Sequence, residues 1–204
     1  MAKIPIYFMP GLAVGPEIFE NLTLSTEKYE LHYLKWKEPL ALEETIFSYA
    51  KRMCEDVKAK KPVLIGVSFG GIMVQEMSKF MDVKKIIIIS SIKTSNELPK
   101  RYKVAKFTRA YKLLPTRVIT NFEDYAKFFI GKSLKKKAEI YKKYLSVRGK
   151  VYLKWSISNV LNWYQEKPLE NIVHIHGTKD HIFPIKYINN TLEIEGGTHN
   201  MILT

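Results

Sequence analysis

The chain has 204 residues, 46% of them apolar and 12% aromatic, which is ordinary for one globular domain with a sizeable core. Its single cysteine, Cys54, excludes an internal disulfide and fits a reducing cytoplasm, and no apolar run approaches the ~18 residues of a membrane span. The net charge of +13 lies wholly in residues 97–154, with 17 Lys/Arg against 4 Asp/Glu, and no zinc-ligand spacing, ribonucleoprotein signature or helix-turn-helix accompanies it, which argues against nucleic-acid binding.

In chain order, the opening run Ile4 to Met9 reads as a strand, too short and interrupted for a secretory signal, so a cytoplasmic protein is expected. Glu30 to Trp36 is a second strand, carrying His32. Leu42, Ile46, Tyr49, Met53 and Val57 recur at helical spacing within an amphipathic stretch from Leu42 to Lys60, where Cys54 reads as packing rather than as a nucleophile. Pro62 to Val67 and Lys85 to Ser90 are dense in Ile and Val, as strands buried on both faces are. Gly71 to Met81 between them reads as a helix. Ile172 to His176 and Thr191 to Ile194 are later strands. Strands alternating with helices predict an α/β fold with a mostly parallel sheet covered on both faces. Residues 97–165 break that rhythm and interleave aromatic residues with lysines, so they are read as a helical cap inserted into a single domain spanning 1–204.

The strongest local signal is Gly66-Val67-Ser68-Phe69-Gly70, followed by Gly71. It sits between a strand and a helix, the setting of a turn so tight that side chains beside the serine would collide. Ser68 would stand at the strand's carboxyl end; the plain alternative is a glycine-rich turn with an incidental serine. A serine hydroxyl needs a base to take its proton. Of five histidines, His32, His174 and His176 lie in strands, with the last two on one face as core residues, leaving His181 and His199. His199 follows the last strand in Gly196-Gly197-Thr198-His199 and could reach Ser68, unless it simply faces solvent. A carboxylate must hold the imidazole. Asp180, just past Ile172 to His176, fits that role; it could instead cap the short segment ahead of Tyr187. Glu97 is the reserve.

Ser68, Asp180 and His199 in that order, with Gly-x-Ser-x-Gly, His-Gly-x-x-Asp and Gly-Gly-x-His around them, resemble the α/β-hydrolase family over nearly the whole chain. The resemblance implies a serine nucleophile, a histidine base and an aspartate orienting it. It places the cap at 97–165 and half of an oxyanion hole at Phe8-Met9-Pro10-Gly11-Leu12, where Pro10-Gly11 replaces the family's frequent His-Gly. The implied donors are the backbone N–H of Phe69 and that of Leu12 or Gly11. Asp180 and His199 are only 19 apart and five residues follow His199, so the helix between them must be brief, and the sequence is either trimmed or ends in a helix of one turn.

The reaction implied is hydrolysis of a small-molecule carboxyl ester or thioester. No metal constellation or nucleotide-binding glycine loop is visible, so no cofactor is expected. A non-catalytic ligand-binding protein on the same fold is the alternative from another class. A further alternative makes the basic insertion a docking surface for an anionic substrate or an acidic carrier protein. It would have aromatic residues over an acyl pocket and Lys135, Lys136 and Lys137 facing outward, against the plainer reading of a solvated face.

Overall fold

A computed structural model of the chain describes residues 2–108, 144, 146 and 149–204. Among these, strands β1 (Ile4–Met9), β2 (Tyr29–Tyr33), β3 (Val63–Val67), β4 (Lys85–Ile89), β5 (Ile172–Gly177) and β6 (Leu192–Ile194) form one sheet in the order β2-β1-β3-β4-β5-β6, every pair parallel. Among the described residues, the α-helices of a turn or more are α1 (Ile46–Cys54), α2 (Phe69–Met77), α3 (Lys100–Thr108) and α4 (Lys150–Asn162).

Side chains alternate between the two faces of the sheet, and each face has its own core. Tyr7, Met9, Leu64, Ile86 and Ile88 pack under α1, α2 and α4, whereas Ile6, Phe8, Val63, Ile65, Val67 and Ile89 pack against Ile18 and Phe19 on the opposite face. All five residues of β3 are buried, which accounts for its unbroken apolar sequence. Burying one such Ile or Leu stabilises the fold by about 1.5–3 kcal/mol.

Thr45 sets the start of α1 by accepting the Ser48 N–H at 3.1 Å, so this helix begins later than its apolar periodicity predicts. Leu42 lies ahead of the cap, and Val57 is buried from the turn that follows the helix. Helix α2 starts at Phe69, directly after the turn serine. All nine of its residues are buried, so it shows only a weak apolar stripe.

Both ends of the predicted insertion are helical. Helix α3 buries none of its residues, whereas α4 sinks Tyr152 and Trp155 fully into the core, beside Trp36, Tyr49 and Phe69. Lys135, Lys136, Lys137 and six of the thirteen aromatic residues in 97–165 lie outside the described residues. The brief helix expected between Asp180 and His199 is a single 3-10 turn, Ile185–Tyr187, and a second turn, Met201–Leu203, follows His199 and packs against the Ile6 and Phe8 face. No helix among the described residues is long and apolar enough to cross a membrane.

Candidate active site

The strand order reverses at β1, which has β2 on one side and β3 on the other, so the loops leaving β1 and β3 part company at the sheet's carboxyl edge. Open parallel sheets form their crevices at such a point. Met9 at the end of β1 lies opposite Gly66 near the end of β3, and Val67 lies opposite Ile89, so these loops emerge side by side.

Ser68 occupies the turn between β3 and α2 with φ 54° and ψ −119°, a left-handed conformation that costs a non-glycine residue about 1–3 kcal/mol. Three hydrogen bonds hold it there. Its N–H donates to the Ile89 carbonyl at 2.9 Å, and its carbonyl accepts from Gly71 N–H at 2.9 Å and from Ser91 Oγ at 2.7 Å. The glycines answer a steric demand: a Cβ at Gly66 would meet the Gly70 carbonyl oxygen at 2.2 Å, and one at Gly70 would meet the carbonyl oxygens of Met9 and Pro10 at 2.3 Å. Gly70 therefore lets the loop after β1 lie directly on the serine turn.

Asp180 and His199 converge on Ser68 from the loops after β5 and β6. His199 Nε2 lies 3.0 Å from Ser68 Oγ, and His199 Nδ1 lies 2.8 Å from Asp180 Oδ2. Ionised Asp180 only accepts, so Nδ1 carries the imidazole proton and Nε2 is left to accept from the serine hydroxyl. The His199 loop is tied to the Asp180 loop by Lys179 N–H to the Gly197 carbonyl, 2.8 Å, and by Gly196 N–H to Thr178 Oγ1, 2.8 Å. The Phe183 ring meets the imidazole edge-on at 5.6 Å.

Asp180 is buried, with its second oxygen engaged as well. Oδ1 accepts the N–H groups of Ile182 and Phe183 at 2.7 and 2.9 Å, so the turn-capping role and the histidine contact coexist on one carboxylate. Burial by itself raises the acid's pKa. The His199 ring, the Phe183 N–H and His176 outweigh it and hold the carboxyl below its ordinary range. Behind it, His176 Nε2 donates to the Phe183 carbonyl at 2.7 Å and lies 3.5 Å from Asp180 Oδ2, while its Nδ1 faces His174 Nε2 at 3.1 Å. Burial pushes His174 down to about 3, helped by His176 and Lys93, and pushes His176 down as well.

The other candidates stand apart from this array. His181 is exposed and its carbonyl accepts from Arg101. Glu97 is buried, accepting from Lys93 N–H at 2.6 Å and facing Lys93 Nζ at 3.6 Å, in a clasp with the loop before β6. His32 stacks on Tyr7 at 4.4 Å and faces Glu30. Cys54 is half-buried, and burial pushes its thiol up to about 11. Among the described residues, no group of three or more His, Cys, Asp or Glu could hold a metal ion.

Phe69 opens α2, where the first backbone N–H groups have no partner inside the helix. Gly11 flanks the serine on the other side: a Cβ placed on it would lie 3.7 Å from Ser68 Cβ. Trp36, which entered the sequence reading only as the end of a strand, lies past β2, donates its indole N–H to the Gly11 carbonyl at 2.8 Å and stacks on Phe69 at 5.0 Å. Nothing in the local sequence announces that contact, since it joins loops 25 residues apart.

No protein-family model matches the sequence, and no curated protein matches it. Solved structures do. An esterase from Thermogutta terrifontis superposes with a TM-score of 0.65 at 12% identity, covering 98% of this chain and 84% of that one. A lipase-esterase related protein from Clostridium acetobutylicum gives 0.64 at 16% identity, covering 98% and 88%. An alpha/beta hydrolase fold protein from Burkholderia ambifaria gives 0.62 at 11% identity, covering 98% and 86%. With the six-stranded parallel sheet, covered by α1, α2 and α4 on one face and by short 3-10 turns on the other, these likenesses settle the architecture: the chain has the α/β-hydrolase fold.

Proposed function

We propose that the protein is a serine hydrolase that cleaves the acyl bond of a small-molecule carboxyl ester or thioester through an acyl-enzyme on Ser68. The observation that carries this reading is the continuous relay from Asp180 Oδ2 through His199 to Ser68 Oγ, at 2.8 and 3.0 Å, on a serine with a strained backbone. The superposed proteins described as an esterase and as lipase-esterase related agree with an ester substrate.

Ser68 Oγ attacks the acyl carbon as its proton passes to His199 Nε2, and the carbonyl π pair moves onto oxygen. Asp180 stabilises the imidazolium. The N–H of Phe69 and that of Leu12 or Gly11 stabilise the oxyanion, by about 3 kcal/mol for each donor. The intermediate collapses, and the alkoxide or thiolate leaves with the proton from His199. Water then attacks the acyl-enzyme, giving its proton to His199, and the carboxylic acid departs as Ser68 is reprotonated.

A panel of p-nitrophenyl esters and acyl thioesters of increasing chain length, offered to the wild type and to Ser68→Ala, tests the reading. Hydrolysis of at least one member, reduced about 10⁴-fold or more in Ser68→Ala, is expected. Equal rates in the two proteins would overturn it.

A further inference from the structure

We infer that Trp36 is a positioning residue for the oxyanion hole, aiming the Leu12 N–H by holding the carbonyl of the same peptide. The inference rests on the serine-hydrolase reading and extends it by choosing Leu12 over Gly11 as the second donor.

The peptide linking Gly11 to Leu12 is trans, as are all the peptide bonds described, so its C=O and N–H point in opposite directions. The Trp36 indole N–H donates to the Gly11 carbonyl at 2.8 Å, in a buried contact. Whatever fixes that carbonyl fixes the Leu12 N–H on the other side of the peptide plane. Gly11 adjoins the serine, and the whole loop rests on the bare Gly70 backbone through Met9 and Pro10. A loop donor so placed loses value quickly if its peptide rotates, because an oxyanion donor acts only when aligned at about 2.7–3.1 Å from the developing charge.

The same ring reaches the other donor. Trp36 and Phe69 stack at 5.0 Å between centroids with an interplanar angle of 9°, and the Phe69 ring also meets Trp155 edge-on at 5.8 Å. Trp36 is itself well braced. Tyr49 Oη donates to the Lys37 carbonyl at 2.6 Å and accepts Lys37 N–H at 2.8 Å, locking the backbone next to Trp36, and the Tyr152 ring lies 5.6 Å away. One indole thus touches both elements that supply donors, and Tyr152 beside it also holds the donor loop by accepting the Ala13 N–H at 3.4 Å.

A purely structural tryptophan would be replaceable by another buried aromatic ring. Trp36→Phe keeps an aromatic face for Phe69 and removes the N–H. The test compares the wild type, Trp36→Phe and Ser68→Ala in three measurements: ester hydrolysis, the second-order rate of fluorophosphonate labelling, and inhibition by an alkyl trifluoromethyl ketone. The ketone's hemiketal oxyanion would occupy the hole. For Trp36→Phe, kcat is expected to fall about 10- to 100-fold with KM within twofold. Labelling rate and ketone affinity should fall by similar factors. Should the phenylalanine variant unfold, replacing the indole by benzothiophene, which exchanges the N–H for sulfur and keeps the ring shape, gives the same comparison. A kcat and ketone affinity within twofold of the wild type would overturn the role of Trp36 and leave the serine reading standing. Labelling of Ser68→Ala at the wild-type rate would overturn the reading beneath it instead.

Discussion

Asp180 divides its two oxygens between backbone and imidazole, and that division sets what each substitution at the array does. Oδ1 accepts two N–H groups from the turn and Oδ2 accepts from His199. In Asp180→Asn the amide oxygen is drawn to the turn donors, which leaves an NH₂ facing His199 Nδ1. The imidazole then protonates on Nε2, the nitrogen needed to take the serine proton. We expect Asp180→Asn to lower kcat about 10³- to 10⁴-fold with little loss of stability, and His199→Ala to do at least as much. His181→Ala, at an exposed position outside the array, should leave kcat within about threefold. Steady-state kinetics on an ester substrate checks all three; a larger loss for His181→Ala than for His199→Ala would contradict the assignment.

At the level of elements, β5 shows both what was readable and what was not. Its sequence, Ile-Val-His-Ile-His-Gly, places His174 and His176 on one face as expected, but not their contact with each other or with the back of Asp180. The Phe183 carbonyl only accepts, so His176 Nε2 holds a proton and its Nδ1 accepts from His174 Nε2–H, which fixes both rings as neutral tautomers. Burial pushes His174 down to about 3 from the 6.5 of an unfolded chain. Between those values the unfolded state binds a proton that the folded state refuses, so stability falls as pH falls through this window. The slope is about 1.4 kcal/mol per pH unit for one such group. His174→Gln keeps an N–H for His176 and removes the titration. Its unfolding free energy, from urea titrations between pH 6.5 and the folded-state value, should depend on pH less steeply than the wild type's. An unchanged slope would show that His174 does not contribute. The serine turn was legible because its glycines fall in a short pattern between a strand and a helix, although only Gly66 answers to an atom nearby in sequence, the Gly70 carbonyl; Gly70 answers to Met9 and Pro10, and Gly71 to the Ser91 side chain. The start of α1 was less so, since Leu42 matches the helical spacing but lies ahead of the Thr45 cap.

For the whole molecule, the strand order decides where chemistry can happen. The reversal at β1 parts the loops at the carboxyl edge, and β1, β3, β5 and β6 deliver Gly11, Ser68, Asp180 and His199 to that edge. Dense Ile and Val runs made the central strands readable, and their alternation with helices made the parallel sheet readable. The pairing of loop to loop, as between Trp36 and Gly11, depends on tertiary packing that no short window of sequence contains. The claim on which the functional account turns is that Ser68 is a nucleophile activated by His199. The most direct measurement is labelling with a fluorophosphonate probe, with the modified peptide mapped by mass spectrometry. One adduct is expected, on Ser68, absent from Ser68→Ala and strongly slowed in His199→Ala. An adduct on another residue, or equal labelling of Ser68→Ala, would contradict it.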